Sequence, residues 1–141
     1  MLKTRIRPIS VAIIKNGHKI FVGGGHDDIK KEKFYRLMGG GIKFRETALQ
    51  ALKREFREEF AAELINIKLL KILENIFVFN GEYGHEIAYV YEAEFKDRSM
   101  YEDKEYKVLD SKLNSSAEWI EYKETIKIYP QGVSEIIKTG L

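Results

Sequence analysis

The spacing of apolar positions divides the chain into a series of strands around one strongly helical stretch. From Thr47 to Ala62 the sequence is rich in Ala, Leu, Glu, Lys and Arg and holds neither Gly nor Pro, which predicts an α-helix. Thr47 followed three residues on by Gln50 matches a capping box and sets the start of that helix. At 100° per residue, Leu49, Leu52, Phe56 and Phe60 fall on one stripe, expected to be core. Glu55, Glu58 and Glu59 fall on a neighbouring stripe, beside the small residues Ala48, Ala51 and Ala62. A left-handed cap at Ala61 would cost about 1–2 kcal/mol, so the helix is expected to run on and end near Asn66.

The other segments read as strands and turns. Residues 5–15 end in a β-rich run, and Asn16-Gly17 predicts a two-residue hairpin turn into His18–Val22. Gly23-Gly24-Gly25 before His26-Asp27-Asp28 lacks the Gly-Lys-Ser/Thr ending of a phosphate loop and is expected to be an ordinary flexible loop. Phe34–Leu37 is a short strand leading to Gly39-Gly40-Gly41. Ile67–Phe79 and His85–Phe95 are strands joined by a turn at Asn80–Gly84. In the second of them Ile87, Tyr89, Tyr91 and Phe95 point one way, and Glu86, Ala88, Val90 and Glu92 the other. Residues 96–116 are polar without periodicity, which predicts a long loop. A short strand at Ala117–Ile120, with Trp119 in the core, and a final helix over Gln131–Lys138 complete the chain.

Length and charge narrow the function classes. A chain of 141 residues is expected to form one domain, 1–141, with a core of normal size. A net charge of +2, dispersed along the sequence, gives no argument for a nucleic acid polymer as partner. No apolar run reaches membrane-spanning length, and the N-terminus lacks the apolar core of a signal peptide. The sequence has no cysteine, which excludes disulfides and thiolate metal sites and fits a cytoplasmic location. A homodimer is compatible with the general habit of soluble proteins.

The acidic stripe is harder to explain as structure. Carboxylates at i, i+3 and i+4 repel one another by a few tenths of a kcal/mol per pair, which on a solvated face would be tolerated without purpose. The glycine run just upstream changes that reading, because glycine lets backbone carbonyls approach a metal or phosphate closely. Three carboxylates on an open patch beside such a run suit a hard divalent cation, which takes oxygen ligands and leaves room for water and phosphate. Arg54 borders the same face.

The stretch GGIKFRETALQALKREFREEFAA, Gly40 to Ala62, resembles the signature box of the Nudix hydrolases, Gly-x5-Glu-x7-Arg-Glu-U-x-Glu-Glu-x-Gly-U with U apolar. Gly40, Glu46, Arg54, Glu55, Glu58 and Glu59 match, and Phe56 stands at U. Two positions depart: Ala61 replaces the last glycine of the box, and Met38 stands where the family usually has proline. The resemblance implies an α/β fold, the Nudix α/β/α sandwich, with a mixed sheet between the box helix and a C-terminal helix. It implies hydrolysis of the diphosphate bond of a nucleoside diphosphate linked to another moiety, with Mg²⁺ or Mn²⁺ as cofactor and a nucleotide-type small molecule as substrate.

Carried over by position, the metal ligands would be Glu55, Glu58, Glu59 and the carbonyl of Gly40, with Glu55 also able to act as base or orient the water. Glu46 and Arg54 would lock the loop to the helix. The family often places a further acid in the segment corresponding to 96–116, where Glu102, Asp103, Glu105 and Asp110 are the candidates. Arg36 is a candidate for binding substrate phosphate, and Glu86 a candidate substrate-side or second-site carboxylate. The proline that marks ADP-ribose hydrolases is absent, since Phe77 stands near its place, and Phe79-Asn80 occupy the region of the tyrosine that suggests dinucleoside polyphosphates. A nucleoside triphosphate or nucleotide sugar remains as substrate, and a catalytically silent nucleotide-sensing module is the alternative. Isoprenoid diphosphate isomerisation on this scaffold typically uses a cysteine, which the chain lacks.

Overall fold

The computed structural model describes residues 4–110 and 115–139. The strands are β1 (Arg7–Ile13), β2 (Lys15–Asn16), β3 (Lys19–Asp27), β4 (Glu32–Gly41), β5 (Leu64–Phe79), β6 (Glu82–Phe95), β7 (Tyr106–Lys107), β8 (Ser116–Glu121) and β9 (Ile128–Tyr129). The helices are α1 (Ala48–Phe60) and α2 (Val133–Lys138), with one 3-10 turn at Arg98–Tyr101. The sheet runs β5-β6-β1-β4-β3-β8-β7, with β2 against β3 and β9 against β4. It is mixed: β1 lies parallel to β6 and β9 parallel to β4, whereas β4 is antiparallel to both β1 and β3.

β4 joins two parts of this sheet. Its first half, Glu32 to Leu37, pairs with β3, and its last residues, Met38 to Gly41, pair with β1. Apolar side chains fill both faces. On one, Leu52, Phe56 and Phe60 of α1 meet Phe21, Phe95 and Trp119. The ring of Phe21 lies 5.1–5.2 Å from those of Phe60, Phe95 and Trp119, and burying each such ring contributes roughly 1.5–3 kcal/mol. On the other face Val133 and Ile137 of α2 cover Val11, Ile13, Val22, Leu37 and Val90. This is the expected helix–sheet–helix layering.

Several local expectations are corrected. Asn16-Gly17 does turn the chain, but the hairpin it closes pairs only Lys15-Asn16 with β3, because the long β1 is taken up by β4 and β6. Gly23-Gly24-Gly25 is strand rather than loop, paired with β4 throughout. Helix α1 does not continue to Asn66. It stops at Phe60, where Ala61 adopts φ 52° and ψ 36°. The amides of Ala61 and Ala62 donate to the carbonyls of Arg57 and Phe56, and the reversal lets the buried Ala62 and Leu64 enter the aromatic core, which offsets the strain at Ala61. Leu49 is 39% exposed rather than core. In the first turn Ala51 is the fully buried residue and Ala48 packs against the aromatic cluster, while the hydroxyl of Ser10 on β1 donates to the Ala48 carbonyl at 2.8 Å.

Residues 96–110 are more ordered than their sequence suggests. Asp97 caps the 3-10 turn through Ser99 N, and the indole of Trp119 donates to Met100 O at 3.0 Å. The part of the expected loop at 111–114 lies outside the described residues.

The tips of the two long hairpins are tied together. The buried Asp27 accepts from the amides of Ile29 and Lys30 through Oδ1 and from that of Asn80 through Oδ2, at 3.0–3.1 Å. Asp28 N donates to Asn80 Oδ1, and Lys30 Nζ to Val78 O.

Candidate active site

The segment entering α1 is fixed at both ends. Thr47 Oγ1 accepts from Gln50 N, while Gln50 Oε1 accepts from Thr47 N, so the capping box forms as expected and defines the first turn. One turn and a half into the helix, Arg54 reaches back. Its Nε and Nη2 donate to the two oxygens of Glu46 at 2.7 and 3.0 Å, and Nη2 also donates to the carbonyl of Gly41 at 2.9 Å. This fork on a carboxylate, together with the Lys43 amide, holds the Glu46 carboxyl down to about 2 and raises the guanidinium further above its ordinary range. The loop between Gly41 and α1 is thereby clamped to the helix.

The glycines set how closely α1 approaches β4. A side chain at Gly40 would collide with the carboxylate of Glu55, so that carboxylate rests against bare backbone. Gly39, at φ 145°, lies just as tightly on β1 at Ser10.

Within the acidic stripe the three carboxylates have different surroundings. Glu59 faces inward: one of its oxygens, Oε1, is buried without a hydrogen-bond partner. Burial first, then the charges of Glu55 and Asp110, push its carboxyl up to about 8, against a smaller opposing effect of Arg36. Burial also raises Glu55, although Arg54 Nη1 lies 3.2 Å from its Oε2 and works against the shift. Glu58 is 44% exposed and is drawn onto the same Arg54 nitrogen at 3.2 Å. Among the described residues no three acidic or histidine side chains gather around one point at ligand distance. The structure therefore sets Glu55 against Gly40, brings Glu59 into the same cleft and leaves Glu58 on Arg54.

Of the four acids considered in 96–110, Asp110 is the one whose charge acts on Glu55 and Glu59. The amide of Leu109 donates to the Glu59 carbonyl at 2.8 Å and delivers Asp110 to the end of α1. Asp103 instead pairs with Lys19 at 2.6 Å, and Glu102 and Glu105 are exposed.

These features fit a hard divalent cation. Two crowded carboxylates with raised proton affinity, one buried oxygen lacking a partner and a third carboxylate a side-chain rotation away form an all-oxygen donor set that a Mg²⁺-like charge would relieve.

A cleft of about 540 Å³ opens from this point. Its lining includes Arg7, Arg36, Gly40, Glu55, Glu59 and Glu86 together with the rings of Phe34, Phe77 and Tyr129. Arg36 lines this cleft. Glu86 is in the cleft as well, but it is paired: Arg7 Nη1 donates to its Oε2 at 3.2 Å. The aromatic wall was not anticipated. Phe34 stands across from Gly25 and Phe77 across from Gly84, and each ring covers its glycine so closely that a side chain there would collide with it. Tyr129 packs against both, its ring 5.2 Å from that of Phe34 and 6.4 Å from that of Phe77. The sequence carries no usable signal for it, because Gly25 closes a glycine run expected to be loop and Gly84 ends an expected turn.

The model of the NUDIX domain matches residues 4–138. The chain belongs to the Nudix family. It is a Nudix pyrophosphohydrolase by that membership, which implies hydrolysis of nucleoside diphosphate derivatives. Solved structures share its fold. The MutT NUDIX hydrolase from Burkholderia pseudomallei superposes with a TM-score of 0.63 at 21% identity, over 94% of this chain and 95% of that one. A NUDIX hydrolase from Nitrosomonas europaea gives 0.65 at 16% identity over 96% and 88% of the two chains. The E. coli ORF135 protein gives 0.55 at 18% identity over 96% and 90%. No curated protein matches significantly. Among the described residues of this Nudix chain, no helix is long and apolar enough to cross a membrane.

Proposed function

We propose that this chain hydrolyses the diphosphate bond of a nucleoside diphosphate linked to another moiety, a nucleoside triphosphate or a nucleotide sugar, with Mg²⁺ or Mn²⁺ as cofactor. The observation that carries the proposal is the Glu55 carboxylate against the bare backbone of Gly40, with the unpartnered, buried Oε1 of Glu59 in the lining of the same substrate-sized cleft. Glu55, Glu58, Glu59 and the Gly40 carbonyl would hold the metal, with Asp110 as a further acid nearby. When bound, the ion would neutralise phosphate charge and lower the pKa of a coordinated water.

The remaining chemistry belongs to side chains. Glu55 orients the attacking water or accepts its proton. Arg54, clamped on Glu46, fixes the segment that presents the Gly40 carbonyl. Arg36, beside Glu59, offers a guanidinium to a phosphoryl oxygen of the substrate. Glu58, half-exposed and paired with Arg54, would have to leave that pair to help hold the ion.

The test is release of phosphate and pyrophosphate from a panel of nucleoside triphosphates, dinucleotides, ADP-ribose and nucleotide sugars, with Mg²⁺, with Mn²⁺ and with chelator. Metal-dependent cleavage of one class is expected, and it is lost in the double variant Glu58→Gln, Glu59→Gln while the far-ultraviolet circular dichroism is unchanged. Activity retained by that variant refutes the site. Nucleotide binding without cleavage by the wild type would move the assignment to a sensing module.

A further inference from the structure

We propose that Arg7 binds an anionic group of the substrate on the side of the cleft opposite the acidic pair, and that Glu86 is the positioning residue that holds Arg7 there. The inference rests on the cleft being the substrate site proposed above, and it adds a recognition element that the signature box does not contain.

The last residues of β4 form a divide. Successive side chains on a strand point to opposite faces. At Gly40 one face is occupied by the Glu55 carboxylate, and at the next residue, Gly41, the opposite face is occupied by the guanidinium of Arg7, whose Nη2 lies 3.5 Å from where a side chain would begin. Glu55 and Arg7 nonetheless line the same cleft. A substrate lying across the end of β4 therefore meets an acidic, cation-binding side and then a cationic side. A chain of phosphoryl groups has the charge for both.

The position of Arg7 is built rather than incidental. Arg7 and Glu86 are direct neighbours in the parallel pairing of β1 with β6, and their side chains join at 3.2 Å. One nitrogen of the guanidinium is engaged in that bond, and the side chain is 47% exposed, so donors remain for an incoming anion. Glu86 itself, at 22% exposure, would repel a polyphosphate in the cleft if it stood alone. Its pairing with Arg7 masks that charge. Arg7, Phe77 and Glu86 are also shared with a smaller hollow of about 190 Å³ that Arg5 lines too, so the positive side continues outward.

The test is calorimetric titration of the full chain in Mg²⁺ with inorganic phosphate, pyrophosphate and tripolyphosphate, for wild type, Arg7→Ala, Arg7→Lys, Glu86→Gln and the double variant Arg7→Ala, Glu86→Gln. Wild-type affinity is expected to rise with phosphate chain length. Arg7→Ala should weaken tripolyphosphate at least tenfold and leave phosphate within twofold, while Arg7→Lys keeps part of the affinity. The double variant should bind tripolyphosphate more tightly than Arg7→Ala alone, because the exposed Glu86 charge is gone. The proposal is overturned by unchanged tripolyphosphate affinity in Arg7→Ala, by equal losses for all three probes, by a double variant weaker than Arg7→Ala, or by wild type binding none of them. Mg²⁺ titrated alone separates the two readings: absent Mg²⁺ binding counts against the metal site, whereas an Arg7-dependent preference for longer chains stands independently of turnover.

Discussion

Replacing Ala61 by glycine tests how the acidic helix ends. Ala61 holds φ 52° and ψ 36°, and an L-residue with a Cβ is disfavoured there by roughly 1–2 kcal/mol. Glycine removes that strain but gains about 0.5–1 kcal/mol of freedom in the unfolded chain. The side chain lost is a solvent-exposed methyl, so little burial is sacrificed. The balance predicts that Ala61→Gly stabilises the protein by about 0.5–1 kcal/mol. At this chain length that corresponds to a rise in melting temperature of about 1–4 °C. Equilibrium urea unfolding should show a higher midpoint with an unchanged slope. The sign is diagnostic. Were residue 61 inside a continuing helix, the same substitution would destabilise by about 1 kcal/mol. A lowered midpoint would therefore refute the left-handed cap. Turnover is expected to stay near wild type, because the amides of residues 61 and 62 that close the helix are kept.

Other perturbations address the site. Glu59 carries a carboxyl raised from 4.5 to about 8, so between those values the folded protein retains a proton that the unfolded chain has lost. Metal-free stability should fall as pH rises through that window and level off above it, and Mg²⁺ should reverse the fall with release of the proton; a chelated protein whose melting temperature rises from pH 5 to pH 8 would contradict the burial of Glu59. Gly40→Ala should cut turnover by about a hundredfold or more while the chain still folds, since the new methyl displaces the Glu55 carboxylate and small displacements of reacting groups are costly; near-normal turnover would show that this contact is irrelevant to the chemistry. Glu46→Gln should weaken the Arg54 fork and lower kcat with little change in KM, a split that steady-state kinetics resolves; an effect on KM alone would place Glu46 in substrate binding instead.

What was legible in the sequence follows from the range of the interactions involved. The capping box, the start of α1 and the two-sided core are local or periodic properties, and they appear as expected. The Glu46–Arg54 fork also spans only eight residues, which the spacing of the box encodes. The end of α1 depended on Ala62 and Leu64 finding places among rings from β3, β6 and β8, and no local cost for Ala61 reveals that. Selection of Asp110 over Asp103 rests on backbone contact between Leu109 and Glu59. Arg7 and the ring of Tyr129 join the cleft only through the pairing of β1 with β6 and of β9 with β4. Such partners are distant in sequence and carry no periodic mark.

The bonds of Asp27 bear on how the cleft is assembled. They connect residues 53 positions apart, and drawing together chain ends that far separated costs roughly 3–4 kcal/mol of loop entropy unless intervening structure already holds them near. The intervening chain is β4, α1 and β5, and pairing through β1 and β6 ties its two strands into one sheet. The rim of the cleft is thus expected to close after the central strands have found their register. The amides of Ile29, Lys30 and Asn80, all held by one carboxylate, are then expected to exchange together, and native-state hydrogen exchange would follow the closure of the substrate side separately from the stability of the core.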